Sequence, residues 1–85
     1  MKPLINISVK LFAIYQETYQ QDQLELQLED QATVKTLADH IFSEHPELQE
    51  WRNVTRYGVN MAFVDENTVL KDGDEIVFIP PVSGG

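Results

Sequence analysis

Thr33-Val34-Lys35-Thr36-Leu37-Ala38-Asp39-His40-Ile41-Phe42 reads as a helix with a single apolar stripe. Val34, Leu37, Ala38, Ile41 and Phe42 fall at i, i+3, i+4, i+7 and i+8, the spacing that gathers side chains on one helical face. The Thr33 hydroxyl suits the N-cap. Pro46 cannot continue the helix and biases His45 towards an extended backbone, so the end falls near Ser43 or Glu44. Burial of Val34, Leu37, Ile41 and Phe42 at ~1.5–3 kcal/mol each contributes ~6–12 kcal/mol gross, before chain entropy is subtracted. This helix belongs against a sheet.

The segments on either side supply the strands. Ile5, Ile7, Val9 and Leu11 alternate with Asn6, Ser8 and Lys10, as in a strand with one buried face, and Phe12 falls on the polar side. Leu24, Leu26 and Leu28 alternate with Glu25, Gln27 and Glu29 in the same way. The polar stretch Gln16 to Gln23 then reads as the connection of a hairpin. Beyond the helix, Leu48 and Trp51 suggest one short helical turn in an otherwise undecided segment, with Gly58 a candidate turn residue. Val59 to Val64 reads as a strand, Asp65-Glu66-Asn67-Thr68 as a turn and Val69-Leu70 as a very short strand. Lys71-Asp72-Gly73-Asp74 supplies a tight turn in which Gly73 can take positive φ. Glu75-Ile76-Val77-Phe78-Ile79 is apolar on both faces after its first residue, which suits a central strand or a binding surface. The order predicts an α+β domain over residues 1–80, four to five strands with one main helix on one face, followed by an extended tail at 81–85.

Composition narrows the function. Eighty-five residues, 42% hydrophobic, make one small globular domain without linker, repeat or low-complexity stretch. The absence of cysteine excludes disulfides, thiolate zinc sites and a cysteine nucleophile, and suits a reducing compartment. Polar residues recur at every second place near the N-terminus, unlike a signal peptide, and the apolar runs Leu11 to Tyr15 and Ile76 to Val82 fall far short of the roughly 18 residues that span a bilayer. A soluble, cytoplasmic protein is expected. Fourteen Asp and Glu against six Lys and Arg leave a net charge of −8. That charge repels nucleic-acid phosphates and anionic membranes, so neither is an expected partner. It suits steering onto a basic cleft, and equally serves solubility.

No side-chain constellation points to chemistry on the domain. His40 lies opposite the apolar stripe and His45 at the helix end, neither with a second ligand at metal spacing, so no metal site is expected. Asp72 and Asp74 flank a glycine, and turn chemistry accounts for them without a catalytic carboxylate pair. Trp51 reads as packing. If Ile5, Ile7, Val9 and Leu11 meet the helix, with Ile76, Phe78 and Val64 also inward, then Phe12, Phe63, Val77 and Ile79 face the other way. They form a candidate apolar docking patch at the root of the tail.

The tail is Pro80-Pro81-Val82-Ser83-Gly84-Gly85. Two prolines end strand pairing and hold the exit extended, so the five residues beyond Pro80 reach up to roughly 17 Å from the domain. Gly84-Gly85 carries no side chain, so such a backbone can thread a narrow channel and present a terminal carboxylate to a partner enzyme. Two chance terminal glycines occur in roughly one chain in 200. The pattern points to a carrier, not a self-sufficient enzyme.

With Ala32-Thr33-Val34, Val59-Asn60, Leu70-Lys71-Asp72-Gly73-Asp74-Glu75 and Phe78-Ile79 leading into that tail, the chain resembles the small subunit of molybdopterin synthase over nearly its whole length. Val9-Lys10-Leu11-Phe12-Ala13 is similar to the family's first strand. The resemblance implies a ubiquitin-like β-grasp fold with a mixed sheet. It also implies that an activating enzyme uses ATP to adenylate Gly85, that sulfur replaces the adenylate to leave a thiocarboxylate, and that the large synthase subunit receives the tail, including Pro80, Pro81, Val82, Ser83 and Gly84. Sulfur from two successive carriers then goes to cyclic pyranopterin monophosphate, for molybdenum cofactor biosynthesis. The catalytic residues belong to the large subunit, the carrier binds no cofactor, and a heterotetramer is the family expectation. Two features depart from the family: Gln16 where an arginine is frequent, and the segment Gln49 to Gly58. The alternatives are a sulfur carrier for thiamine or transfer RNA thiolation, a ubiquitin-like modifier, and a non-covalent β-grasp module.

Overall fold

The computed structural model describes residues 3–81. Their elements are β1 (Leu4–Leu11), α1 (Ile14–Tyr19), β2 (Gln23–Glu29), α2 (Val34–Glu44), a 3-10 turn (Pro46–Leu48), α3 (Gln49–Arg52), β3 (Arg56–Val59), β4 (Ala62–Val64) and β5 (Glu75–Ile79). The strands form one sheet in the order β2-β1-β5-β3-β4. β1 and β5 run parallel, with Val9 opposite Ile76 and Leu11 opposite Phe78. The remaining pairs are antiparallel, which makes a mixed ubiquitin-like β-grasp sheet of α+β class.

Helix α2 starts and ends where its capping residues dictate. The Thr33 hydroxyl accepts from the Thr36 amide at 3.3 Å, and the Thr36 hydroxyl accepts from the Thr33 amide at 3.2 Å. This reciprocal pair is a capping box with threonine in the place more often held by Glu or Gln. At the other end, the helix stops at Glu44 ahead of Pro46, which opens the 3-10 turn. Val34, Leu37, Ala38, Ile41 and Phe42 are buried together with Ile5, Ile7, Val9, Leu11, Ile76 and Phe78 from the sheet. The apolar alternation of β1 and the helical stripe therefore meet in one core.

Phe78 stands at the centre of that core. Tyr15 and Tyr57 approach its ring edge-on, with centroids at 5.5 and 5.0 Å. The Tyr15 hydroxyl is not left unpaired in the core: it hydrogen-bonds Thr55, which in turn donates to the Trp51 carbonyl at 2.7 Å. Burial raises the Tyr15 phenol above its ordinary value. Through this relay the segment after α2, which carries no plain periodic signal, is anchored to the core. Trp51 packs against its edge.

Four expectations are corrected. The stretch Gln16 to Gln23 is not a simple hairpin connection: its first residues belong to α1, which begins at Ile14 and delivers fully buried Tyr15 to the core. Val59 to Val64 is not one strand, and Gly58 is not a turn residue. Gly58 lies within β3, while Asn60 and Met61, at φ 50° and 72°, turn the chain into β4. Two consecutive left-handed residues match the twist of a tight hairpin, and asparagine tolerates that conformation better than other non-glycine residues. Val69-Leu70 forms no strand of its own: Val69 makes an isolated bridge to Thr33, and Leu70 is buried.

The Asp72-Gly73-Asp74 turn fixes where β5 begins. Gly73 takes φ 86°. Asp72 accepts from the Asn6 amide at 2.7 Å, and Asp74 accepts from the Lys71 amide and the Asn60 side chain, both at 2.8 Å. The two carboxylates thus tie the turn to β1 and to the β3–β4 hairpin. Replacing Thr33 with Ala removes half of the capping box, and urea denaturation should show a loss of about 1 kcal/mol with the fold retained.

Candidate docking face and tail root

Because facing residues in paired strands share a side of the sheet, the register identifies the surface opposite α2. Lys10 pairs with Val77, Val77 with Gly58, and Gly58 with Phe63, giving one row across four strands. In the next row Arg56 lies opposite Ile79. Gly58 has no side chain, so the row dips there. The result is a shallow apolar depression of about 120 Å3 lined by Gly58, Met61, Ala62, Phe63, Val77 and Ile79.

Phe63, Val77 and Ile79 are therefore brought together. Phe63 is 72% exposed and Met61 98%, while Val77 and Ile79 are half-buried. Phe12, 48% exposed, follows Leu11, the last residue of β1 to pair with β5, and does not line the depression. It follows on the β1 side. Ala13 after it has φ 52° and ψ −122°, a conformation in which a Cβ is strained. Pro80 is buried and Pro81 exposed. Val82, Ser83, Gly84 and Gly85 lie outside the described residues.

Gly58, Met61 and Ala62 are not in the patch expected from sequence: Gly58 is read there as a turn residue, and a continuous strand over Val59 to Val64 conceals the hairpin that folds Met61 and Ala62 back beside Gly58. Asn60 was the signal that could have divided that run, as a residue that favours turns.

A charged cluster borders this face. Arg52 donates to Asp39 at 2.7 Å and to Glu66 at 3.4 Å, and its guanidinium lies 5.3 Å from the centre of the Phe42 ring. Tyr57 donates its hydroxyl to the same Glu66 oxygen at 3.1 Å. The Arg52 hydrogen bond holds the Asp39 carboxyl below the ordinary carboxylate range. Burial disfavours the charge on Arg52, but its bond to Asp39 and the charges of Glu66 and Asp39 outweigh this and raise its pKa. Burial and the Glu66 carboxylate push the Tyr57 phenol up. The cluster links α2, α3 and the turn after β4. Two concavities, about 390 and 550 Å3, lie along this border, and Arg56 lines both.

The remaining candidates are elsewhere. His40 contacts Glu44 at 3.5 Å, and His45 contacts Glu47 at 3.4 Å while meeting the Tyr19 ring edge-on. Gln16 is exposed on α1. Among the described residues, no group of three or more His, Asp or Glu is placed to hold a metal ion, and no helix is long and apolar enough to cross a membrane.

Residues 9–85 match the ThiS family, so sheet, helix and tail root together define a small β-grasp protein of that class. Its relatives are more particular. The human molybdopterin synthase sulfur carrier subunit is 33% identical over 88 aligned residues that cover 100% of both chains. Among solved structures, the complex of subunits 1 and 2 of molybdopterin-converting factor from Helicobacter pylori contains a chain 30% identical, with TM-score 0.67, covering 95% of this chain and 100% of that one. SAMP1 from Haloferax volcanii is 27% identical with TM-score 0.79, covering 94% and 99%. The chain belongs to the family of molybdopterin synthase sulfur carrier subunits.

Two measurements follow from this geometry. A Cβ at Gly58 would lie 3.6 Å from the Ala62 carbonyl oxygen and 3.9 Å from the Val77 Cβ, both ordinary contacts. Gly58→Ala should therefore fold normally and gain about 0.5 kcal/mol in urea denaturation, since alanine has less chain entropy to lose. Asp39 has a depressed native pKa against an ordinary 3.8, so its contribution is present above that value and is lost as pH falls through the native one. Asp39→Asn should be less stable than the parent at neutral pH, and the difference should shrink as pH falls below the ordinary carboxyl value of 3.8 and through the depressed native one.

Proposed function

We propose that this chain is the sulfur-donating subunit of molybdopterin synthase, acting in the cytoplasm through the carboxyl group of Gly85. The observation that carries the reading is similarity to sulfur carrier subunits along the whole chain, including the stretch that ends in Gly84-Gly85. The fold supports it: β5 is held centrally between β1 and β3 and leads directly into Pro80-Pro81. A rigid strand followed by prolines gives a tail whose starting point and direction vary little, lowering the entropy lost when a partner takes it up.

In this reading the Gly85 carboxylate attacks the α-phosphorus of ATP on an activating enzyme and expels pyrophosphate. Carboxylate oxygen is a poor leaving group, whereas AMP departs readily from the mixed anhydride. A sulfur nucleophile brought by the activating system displaces AMP and leaves the thiocarboxylate. On the large subunit, that sulfur replaces an oxygen on a carbon of cyclic pyranopterin monophosphate, the broken carbon–oxygen bond releasing its oxygen on the phosphate or as water, and water then cleaves the acyl–sulfur bond to restore the carboxylate. Two carriers supply the two sulfurs. This chain contributes the acyl group and its delivery; ATP, pterin and proton-transfer groups are held by the partners.

The apolar depression with Phe63, Val77 and Ile79, together with Phe12 and the Pro80-Pro81 exit, is the proposed contact with the large subunit. A second reading, a protein modifier, is favoured by the similarity to SAMP1, a small archaeal modifier protein. It predicts branched Gly-Gly remnants on target lysines.

Alkylation by a thiol-reactive reagent followed by intact mass and peptide mapping separates these readings. The chain has no cysteine, so a labelled C-terminal peptide reports a thiocarboxylate. Label at Gly85 is expected in protein from cells making the cofactor, and its absence there would sink the carrier reading. Deletion of Gly85 should abolish sulfur transfer while leaving folding and docking intact. Ile79→Asp and Phe12→Asp should weaken binding to the large subunit about tenfold or more without unfolding the domain, as measured by calorimetry. Unchanged affinity in both would remove the proposed contact face.

A further inference from the structure

Arg56 differs from the other described cations of this acidic chain. Lys10 pairs with Glu75 at 3.8 Å, Lys35 with Asp39 at 3.3 Å, and Arg52 with Asp39 and Glu66 at 2.7 and 3.4 Å. Among the described residues, Arg56 and Lys71 have no ion-pair partner. Lys71 precedes β5, in the turn farthest along the strand from the tail. Arg56 lies opposite Ile79, where β5 gives way to Pro80-Pro81.

Its surroundings are open and mixed, with Phe63, Asp65 and Glu66 on one side and Val54, Ile79 and Pro80 on the other. Val54 and Phe63 are 52% and 72% exposed, and the two concavities beside the tail root meet at Arg56. A protein that covers Phe63 and Ile79 must also cover Arg56, which shares its row with Ile79. Taking that charge out of water is unfavourable unless an opposite charge meets it. Asp65 and Glu66 line the same concavity as Arg56, but Asp65 accepts from the Asn67 amide and Glu66 from Arg52 and Tyr57, and neither forms an ion pair with Arg56. Among the described residues no carboxylate pairs with Arg56, so the docking protein is the source that burial of this face calls for.

We propose that Arg56 engages a carboxylate on the protein that receives the tail, fixing the orientation in which the apolar face docks and rejecting surfaces that lack the acid. This rests on the carrier reading, and the receiver is the large synthase subunit. The assignment reverses the polarity expected from net charge. At −8 the chain is drawn as a whole towards a basic surface, whereas at the tail root it requires an acidic group within that surface. A planar guanidinium can meet a carboxylate through two parallel hydrogen bonds, which constrains angle as well as distance. One reversed pair in a basic field distinguishes the correct orientation from rotated ones that satisfy only long-range attraction.

The test uses the full chain and the purified large subunit, with affinity read by calorimetry. Arg56→Glu should weaken binding about tenfold or more, and Arg56→Gln and Arg56→Lys by less, lysine keeping the charge but losing the two parallel hydrogen bonds. Lys71→Glu makes the same change in net charge away from the tail root and should stay within about twofold of the parent. Circular dichroism of Arg56→Gln establishes that the exposed substitution leaves the fold intact. If Arg56→Glu binds like the parent, or no worse than Lys71→Glu, the proposal is overturned while the carrier reading stands. If the parent chain itself does not bind the large subunit, the carrier reading fails and the proposal falls with it.

Discussion

The parallel pairing of β1 with β5 is the constraint on which the remainder of the fold depends. It joins segments from opposite ends of the chain, so everything between Leu11 and Glu75 serves as the crossover that parallel neighbours require. α2 covers one side of this central pair, and β2 and the β3–β4 hairpin protect its edges. Phe78 is held by the pairing against Leu11 and receives Tyr15 and Tyr57 edge-on. The same arrangement determines where the tail leaves. Because β5 is hydrogen-bonded on both sides up to its last residues, Pro80 emerges from a rigid position, not from a frayed edge.

Function is divided between a rigid face and a chemically spare tail. In the proposed function the described domain supplies recognition, through an apolar depression made possible by Gly58, an exposed Phe63 and a cation at Arg56. Its polar groups are largely engaged with one another, as in the Arg52, Asp39, Glu66 and Tyr57 cluster and the Asp72-Gly73-Asp74 turn. A carrier has no use for a reactive centre on its body. What it needs is a surface that several partners recognise and an end that reaches into their active sites.

Some of this was legible in the chain and some was not, for identifiable reasons. Strand β1, strand β2 and helix α2 are long enough for their apolar periods to repeat, and capping by Thr33 and termination by Pro46 are local events. α1 was missed because its six residues show less than two full turns of pattern among glutamines, and its contribution is a single deep anchor, Tyr15. The β3–β4 hairpin was read as one strand because its turn is Asn60-Met61, without the glycine that usually marks such a turn. The outward set Phe63, Val77 and Ile79 followed from alternation alone. Its joining to Met61 and Ala62 around Gly58 required the register of three paired strands.

By itself the sequence determined the class of the domain, its main helix, the alternating strands and the carrier-like Gly84-Gly85 tail, because each rests on the order of neighbouring residues. The tertiary structure alone decided that β5 lies between β1 and β3, that Tyr15 and Thr55 join two segments of weak local pattern, and that Arg56 stands beside Ile79 without an ion-pair partner among the described residues. These are relations between residues distant in the chain. They are set by which surfaces must be buried together, and no local preference encodes them.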